Sequence, residues 1–230
     1  MKMGSNKKTA RLAGVLFLLM VVFGVFAEVM FRQKLFVLTD ATATANNILA
    51  NVFLYRVGIV SDLLMAICYL FTALALYHLF CPVHKNLASL MVLFAAAGSL
   101  LLMFNFLIEL APLLILSGEV PLGGFAADAR ESLAMLFYQL YQHGYMIGQV
   151  FFALWVLPLG ILILRSDLIP KVFGVLFVVE FVLGFASVFV HFLAPNELAD
   201  TLLLLPGTVA EFSFLLWLLI CGVKKPKLVT

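Results

Sequence analysis

Seven ionisable side chains interrupt the apolar runs of this chain: Glu28, Asp62, Glu109, His143, Glu180, His191 and Glu211, with Arg56 near the edge of one run. Carboxylates and imidazoles in such surroundings have three uses. They carry or bind protons and cations, they ligate a metal, or they hydrogen-bond one helix to another. The acids are the more informative group, because buried negative charge needs a basic partner, a proton or a cation. Five acids stand against Arg56, which leaves a surplus of negative charge.

The spacing of these residues places them on helix faces. Glu180, Gly184, Ser187 and His191 recur at i, i+4, i+7 and i+11, which is one face of one helix. The stretch "LYQHGYMIGQVFFALW" does the same with Tyr138, Gln142, Tyr145 and Gln149, and Asn105 stands one turn before Glu109. Asn51, Tyr55, Gly58, Asp62, Met65 and Tyr69 form a further stripe. Such faces predict the walls of a polar cavity, and Glu28, Arg56, Asp62, Asn105, Glu109, Gln142, Gln149, Glu180 and Glu211 are its candidate ligand- or proton-binding residues. Interhelical glue is the alternative for Asn105, Gln142 and Gln149, at on the order of 1 kcal/mol per hydrogen bond. Arg56 reads equally as an interfacial anchor or as the partner of one buried acid, and Glu28 is spaced to pair with Arg32.

The elements that carry these faces follow from composition. Hydrophobic residues make up 65% of the chain and charged residues 11%, outside the range of soluble domains. A helix needs roughly 20 apolar residues to cross a bilayer. Six runs qualify: Leu12–Met30, Tyr55–Phe80, Leu87–Leu116, Tyr138–Leu164, Val172–Leu193 and Pro206–Val223. They lack the alternation of barrel strands. The expectation is an all-α integral membrane bundle, residues 1–230 forming one membrane domain.

Charge sets the predicted topology. Lys2, Lys7, Lys8, Arg11, Lys85, Arg165, Lys171, Lys224, Lys225 and Lys227 fall on one side, with Asp167. Arg32, Lys34, Arg56 and Arg130 fall on the other, among Asp40, Glu119, Asp128, Glu131, Glu197 and Asp200. The positive-inside rule then puts both termini in the cytoplasm. At about 1.5 Å per residue, Glu109, His143 and His191 stand ~30–33 Å from the basic flank and Glu180 ~14 Å, so most of the polar set falls in the outer half. Val25 and Ala27 resemble a signal-peptidase site, but the apolar run continues to Met30 and predicts an uncleaved first helix.

Short helices are expected on the outer side ahead of the second, fourth and sixth spans. Thr39–Asp40 offers a helix N-cap, "FAADARESLAMLFYQLY" is similar, and Pro206–Gly207 is expected to separate "PNELADTLLLL" from its span. Gly144 and Gly148 form a small-xxx-small pair through which the chain could pack on a copy of itself or on another protein. Cys68, Cys81 and Cys221 lie on the reducing side with no metal-ligand spacing and read as packing residues.

Several segments, "ARLAGVLFLLMVVFGVFAE", "ILANVFLYRVGIVSDLL", "HGYMIGQVFFALWVLPLGILILRSDLIPKVFGVL" and "VAEFSFLLWLLICGVK", resemble a bacterial membrane family catalogued as domain of unknown function 4386. The resemblance runs from about Ala10 to Lys224, with Glu28, Arg56–Gly58–Asp62 and Glu211 inside its blocks. It implies six membrane helices in a bacterial cytoplasmic membrane, and no activity.

Three functions fit these residues. The first is a bundle that binds or transports a small protonatable, cationic or amphipathic ligand in its acidic cavity. The second is a non-catalytic sensor or partner subunit of a membrane complex. The third is an intramembrane metal-dependent hydrolase of lipid-like substrates, with zinc held by His143, His191, Asp62 and Glu109 from separate spans. No HExxH, GxSxG, Walker or GxGxxG pattern occurs, so no cofactor is expected apart from that metal. There is no basic patch for nucleic acid, which leaves the bilayer and a small-molecule or lipid ligand as partners.

Overall fold

The computed structural model describes residues 3–121 and 123–224, without side chains for 3–5 and Glu197. Lys2, Lys225, Lys227 and the Glu197 side chain, counted above in the charge asymmetry, lie outside the described residues. The described residues form helices joined by short connections, with no strand among them. Helix α1 (Met3–Phe26) passes through a π-helical turn (Ala27–Arg32) into α2 (Gln33–Leu35), and is followed by α3 (Ala41–Ala50) and α4 (Val52–Phe80). Then come α5 (Lys85–Ser117), α6 (Ala127–Arg165), α7 (Lys171–Leu193) and α8 (Glu197–Ile220).

Six helices are long and apolar enough to cross a membrane: Asn6–Leu35, Val52–Phe80, Lys85–Ser117, Ala127–Arg165, Lys171–Leu193 and Leu198–Ile220. They leave large apolar side chains uncovered, such as Leu93, Phe104 and Leu107 at 60% exposure or more. Water would not tolerate so continuous an apolar surface, and lipid does.

Local chemistry fixes the ends. Asp40 caps α3 by accepting from the Ala43 N–H at 2.8 Å, and Asn196 caps α8 by accepting from Ala199 at 3.1 Å. Pro170 stands at the start of α7. Gly222 takes φ 71° and bonds back to the Trp217 carbonyl, which turns the chain out of α8.

Three boundaries differ from expectation. The first span does not stop at Met30 but continues through Arg32 to Leu35. The segment ahead of the fourth span is the beginning of α6 itself, a 39-residue helix. Pro206 lies inside α8 rather than between two helices. A proline costs one helix hydrogen bond, and a membrane helix tolerates that loss by local adjustment.

The chain divides into two compact units. The first comprises Met1–Leu19, Cys68–Ser99 and Met146–Thr230. It holds α7 and α8, and α6 and α7 cross closely within it. A Cβ at Gly160 would meet the Gly174 carbonyl oxygen at 2.9 Å, and one at Gly174 would meet that of Gly160 at 2.8 Å. Only glycines allow this approach. The second unit comprises Met20–Ile67 and Leu100–Tyr145. Its interior includes Phe31, Tyr55, Phe106, Tyr138 and Tyr141, each buried.

Candidate functional site

The second unit is organised around an arginine. Sequence placed Arg32 on the outer flank, beyond the end of the first span; in the structure it is 7% exposed, while Asp62 and Glu109 are 0% exposed. Arg32 Nε–H donates to Glu28 Oε2 at 2.8 Å. Nη1 donates to Asp62 Oδ2 at 2.8 Å and to Glu109 Oε1 at 2.9 Å, and Nη2 reaches Asp62 Oδ1 at 3.4 Å. One guanidinium thus joins α1, α4 and α5. Its planar fork suits two-point contact with a carboxylate better than a lysine would.

The π-helical turn explains how Arg32 reaches this position. In a π-helix the bond runs to the fifth residue back, as from Gln33 N–H to the Glu28 carbonyl. Residues four and five apart then share a side. Arg32 and Gln33 accordingly both bond the Glu28 carboxylate, Gln33 Nε2 at 3.2 Å from Oε1. The same turn sends Phe31 into α4, where a Cβ at Gly58 would fall 2.2 Å from Phe31 Cδ1. Phe31 packs edge-on against Tyr55 at 4.7 Å. The Arg32 guanidinium lies 5.5 Å from the Tyr141 ring centre and 5.8 Å from that of Phe31, within cation–π range.

Glu109 is positioned by its backbone. The Tyr55 hydroxyl donates to its carbonyl oxygen. Pro112, three residues on, has no N–H for the Ile108 carbonyl. One turn earlier on α5, Asn105 Nδ2 donates to the Tyr141 carbonyl at 2.9 Å. Its side chain fills the space a Cβ at Gly144 would need, 2.1 Å from Asn105 Oδ1. Gly144 is therefore used within the chain, and Gly148 is buried.

Two acceptors in this core remain unused. Glu109 Oε2 and Asn105 Oδ1 are buried and have no hydrogen-bond partner among the described residues. Three carboxylates around one guanidinium also leave an excess of two negative charges if all are ionised. The cluster can thus accept a hydrogen-bond donor carrying positive charge, or protons.

The other candidates are placed elsewhere. Arg56 pairs with Glu119 at an exposed position and not with a buried acid. Gln142 and His143 are exposed and Gln149 is half-buried. Tyr138 stacks on Phe36 at 3.6 Å and on Tyr141 at 6.1 Å. The interior face of α6 thus runs through residues 138 and 141, at i and i+3, and Gln142 is rotated outward. Glu180 and Glu211 belong to the first unit, as does His191, whose Nδ1 lies 2.8 Å from Asp200 Oδ2. Among the described residues no three His, Cys, Asp or Glu side chains converge as metal ligands do. Cys68, Cys81 and Cys221 are free thiols. An open cleft of about 300 Å3, lined by residues that include Leu38, Thr39, Ser132, Met135 and Gln139, contains none of the cluster's side chains.

The pairing of Arg32 with Glu28 that the sequence suggested is present, while the contacts of Arg32 with Asp62 and Glu109, and the parts of Phe31 and Tyr141, were missed. The i, i+4 spacing of Glu28 and Arg32 was the available signal, together with the apolar residues Leu35 to Leu38 that follow.

Residues 12–222 match the family described as domain of unknown function DUF4386. The chain belongs to that family. Neither a curated protein nor a solved structure matches it. For this DUF4386 member the chemistry must come from the cluster itself: a buried guanidinium, two fully buried carboxylates, and free acceptors on one face of α5.

Proposed function

We propose that this DUF4386 protein is a six-span bundle of the bacterial cytoplasmic membrane that binds, and carries across, a small cationic or protonatable ligand. Residues 1–230 act as one membrane domain, since α1, α4, α5 and α6 run unbroken through the residues of both units. Both termini are cytoplasmic, with Arg165, Lys171 and Lys224 at helix ends on that side. The Arg32 cluster then faces the outer leaflet, and α3 lies along the interface.

The observation that carries this reading is the pair of unused acceptors, Glu109 Oε2 and Asn105 Oδ1, beside a cluster with surplus negative charge. Buried acceptors without partners are rare because their lost hydration is not replaced. A primary ammonium or guanidinium would bond both and reduce the surplus. Arg32 would hold Asp62 and Glu109 in place while the ligand is absent, and would compete with the ligand for them when it binds.

The test is thermal stability of purified protein against ammonium, methylammonium, guanidinium and spermidine chlorides, with sodium chloride as ionic-strength control. At least one cation should raise the melting temperature of wild type, and Glu109→Gln should abolish that rise. A flat response across the panel in folded protein would contradict the proposal.

A second reading has its own observation. Arg32 spends its bonds on Glu28, Asp62 and Glu109 from three helices, as a structural clasp would. A partner subunit held together by that clasp would lose stability in Glu109→Gln without ever responding to cations.

A further inference from the structure

Basic side chains at one end of the first unit converge from three distant segments. Gly222 takes φ 71° as the chain leaves α8, and a Cβ there would lie 3.2 Å from Lys7 Cγ and 3.8 Å from Ala10 Cβ of α1. One turn along α1 from Lys7, Arg11 Nη2 donates to the Ile220 carbonyl at 3.4 Å. Two residues beyond Gly222, the Lys224 N–H donates to the Leu168 carbonyl at 2.7 Å. The end of α8 is thus fixed between the start of α1 and the connection from α6 to α7, which has Arg165 and Lys171 at its two ends. Ile169 and Val223 are buried, so apolar packing anchors both segments.

Lys7, Arg11, Arg165, Lys171 and Lys224 are exposed, and none forms an ion pair among the described residues. Asp167 is the only acid within the stretches Lys7–Arg11, Arg165–Lys171 and Ile220–Lys224. The topology rule explains why bases collect on one side of a membrane. It does not explain backbone contacts that bring them to one rim, as between residues 209 positions apart at Arg11 and Ile220. A second feature says which anion suits the rim. Each segment carries an uncovered apolar side chain beside its base: Leu12 after Arg11, Val172 after Lys171, and Ile220 ahead of Lys224. An anion with apolar chains meets both surfaces at once. A soluble anion or an acidic protein segment meets only the first.

We infer that Lys7, Arg11, Lys171 and Lys224 form a headgroup site for an anionic phospholipid, whose acyl chains lie on the apolar side chains beside them. The phosphate diester of such a lipid accepts charge-assisted hydrogen bonds from ammonium and guanidinium groups. Arg11 gives one nitrogen to the end of α8 and has further N–H groups for a phosphate. A zwitterionic phospholipid brings its own cation, so it gains little from this rim. The site shares no residue with the Arg32 cluster and goes beyond the function proposed above. It holds for whichever leaflet the rim faces.

The experiment uses the delipidated full chain in an uncharged detergent. Phosphatidylglycerol is titrated in, with phosphatidylcholine of the same acyl chains as control and glycerol phosphate as the free anion. The readouts are melting temperature and lipid retained per chain in native mass spectra. Phosphatidylglycerol should raise the melting temperature saturably, with about one molecule retained per chain, and the rise should shrink at high salt. Phosphatidylcholine and glycerol phosphate should do neither. The double variant Lys7→Gln with Lys224→Gln should weaken phosphatidylglycerol binding at least about tenfold, and Lys171→Gln should weaken it several-fold. These lysines are exposed, so the variants should fold. Lys34→Gln, in the second unit, should bind as wild type does. A folded double variant that binds phosphatidylglycerol like wild type would overturn the inference. So would equal effects of the two lipids, glycerol phosphate binding as tightly as phosphatidylglycerol, or an equal loss in Lys34→Gln.

Discussion

Arg32 Nη1 lies 2.9 Å from Glu109 Oε1, joining residues 77 positions apart in the chain. With Asp62 on the same nitrogen at 2.8 Å, this contact places a guanidinium in the interior of the second unit. A charge buried there is tolerated only with charge-assisted partners on several sides. The stability of the second unit should therefore depend on keeping the set complete.

Replacing Arg32 should be the most damaging single change in the cluster. Arg32→Ala leaves Asp62 and Glu109 facing each other without a base, and breaking a buried pair costs about 3–5 kcal/mol. Thermal melts of purified protein should show it. Arg32→Lys should recover only part of the loss, because an ammonium cannot make the two-point contact with Asp62.

Glu28 should matter much less than Asp62. Its side chain is 51% exposed, and ion pairs of that exposure contribute about 0–1 kcal/mol. Glu28→Gln should melt close to wild type, while Asp62→Asn should lower the melting temperature clearly. Equal effects would mean that the two carboxylates share one environment.

The first span was legible only in part. Its apolar core was plain, but "RQKL" reads as a polar flank, and what buries Arg32 lies on α4 and α5. No local pattern reveals that, and the π-helical turn that shifts the phase of residues 27–32 leaves no mark in the periodicity. The stripe from Tyr55 through Gly58 to Asp62 was legible, and it does face Phe31 and Arg32. The stripe on α6 was misjudged by one position, since aromatic stacking of Tyr138 with Tyr141 decides the face. Residue type governed there: flat rings bury more apolar area than a glutamine can. Arg56 was weighed as a possible partner for a buried acid, and its proximity to Glu119 follows from where α5 ends, which sequence alone does not fix.

Gly58→Ala should destabilise the protein by about 1–3 kcal/mol, the usual range for forcing volume into a packed core. The added methyl has no space beside Phe31. Phe31→Leu should be partly compensating in the double variant, and a double-mutant cycle on melting free energies would show that coupling.

Arg56 and Glu119 should be nearly independent of the site. Both are about half exposed, so a double-mutant cycle between Arg56→Ala and Glu119→Ala should give less than about 1 kcal/mol. Any cation response of the wild type should persist in both single variants.

Tyr55→Phe removes the hydroxyl that bonds the Glu109 carbonyl while keeping the ring against Phe31. The expected loss is about 1 kcal/mol of stability, with a weaker response to the binding cation because Glu109 is less firmly placed.

A small cation received by Glu109 Oε2 and Asn105 Oδ1 together should depend on both side chains for its binding. The most direct measurement is calorimetric titration of the purified full chain with methylammonium chloride, comparing wild type, Glu109→Gln, Asn105→Ala and the surface variant Glu119→Gln. Saturable binding is expected in wild type and Glu119→Gln, and binding weakened at least about tenfold in the other two. Binding of equal strength in all four proteins, or none in folded wild type, would contradict it.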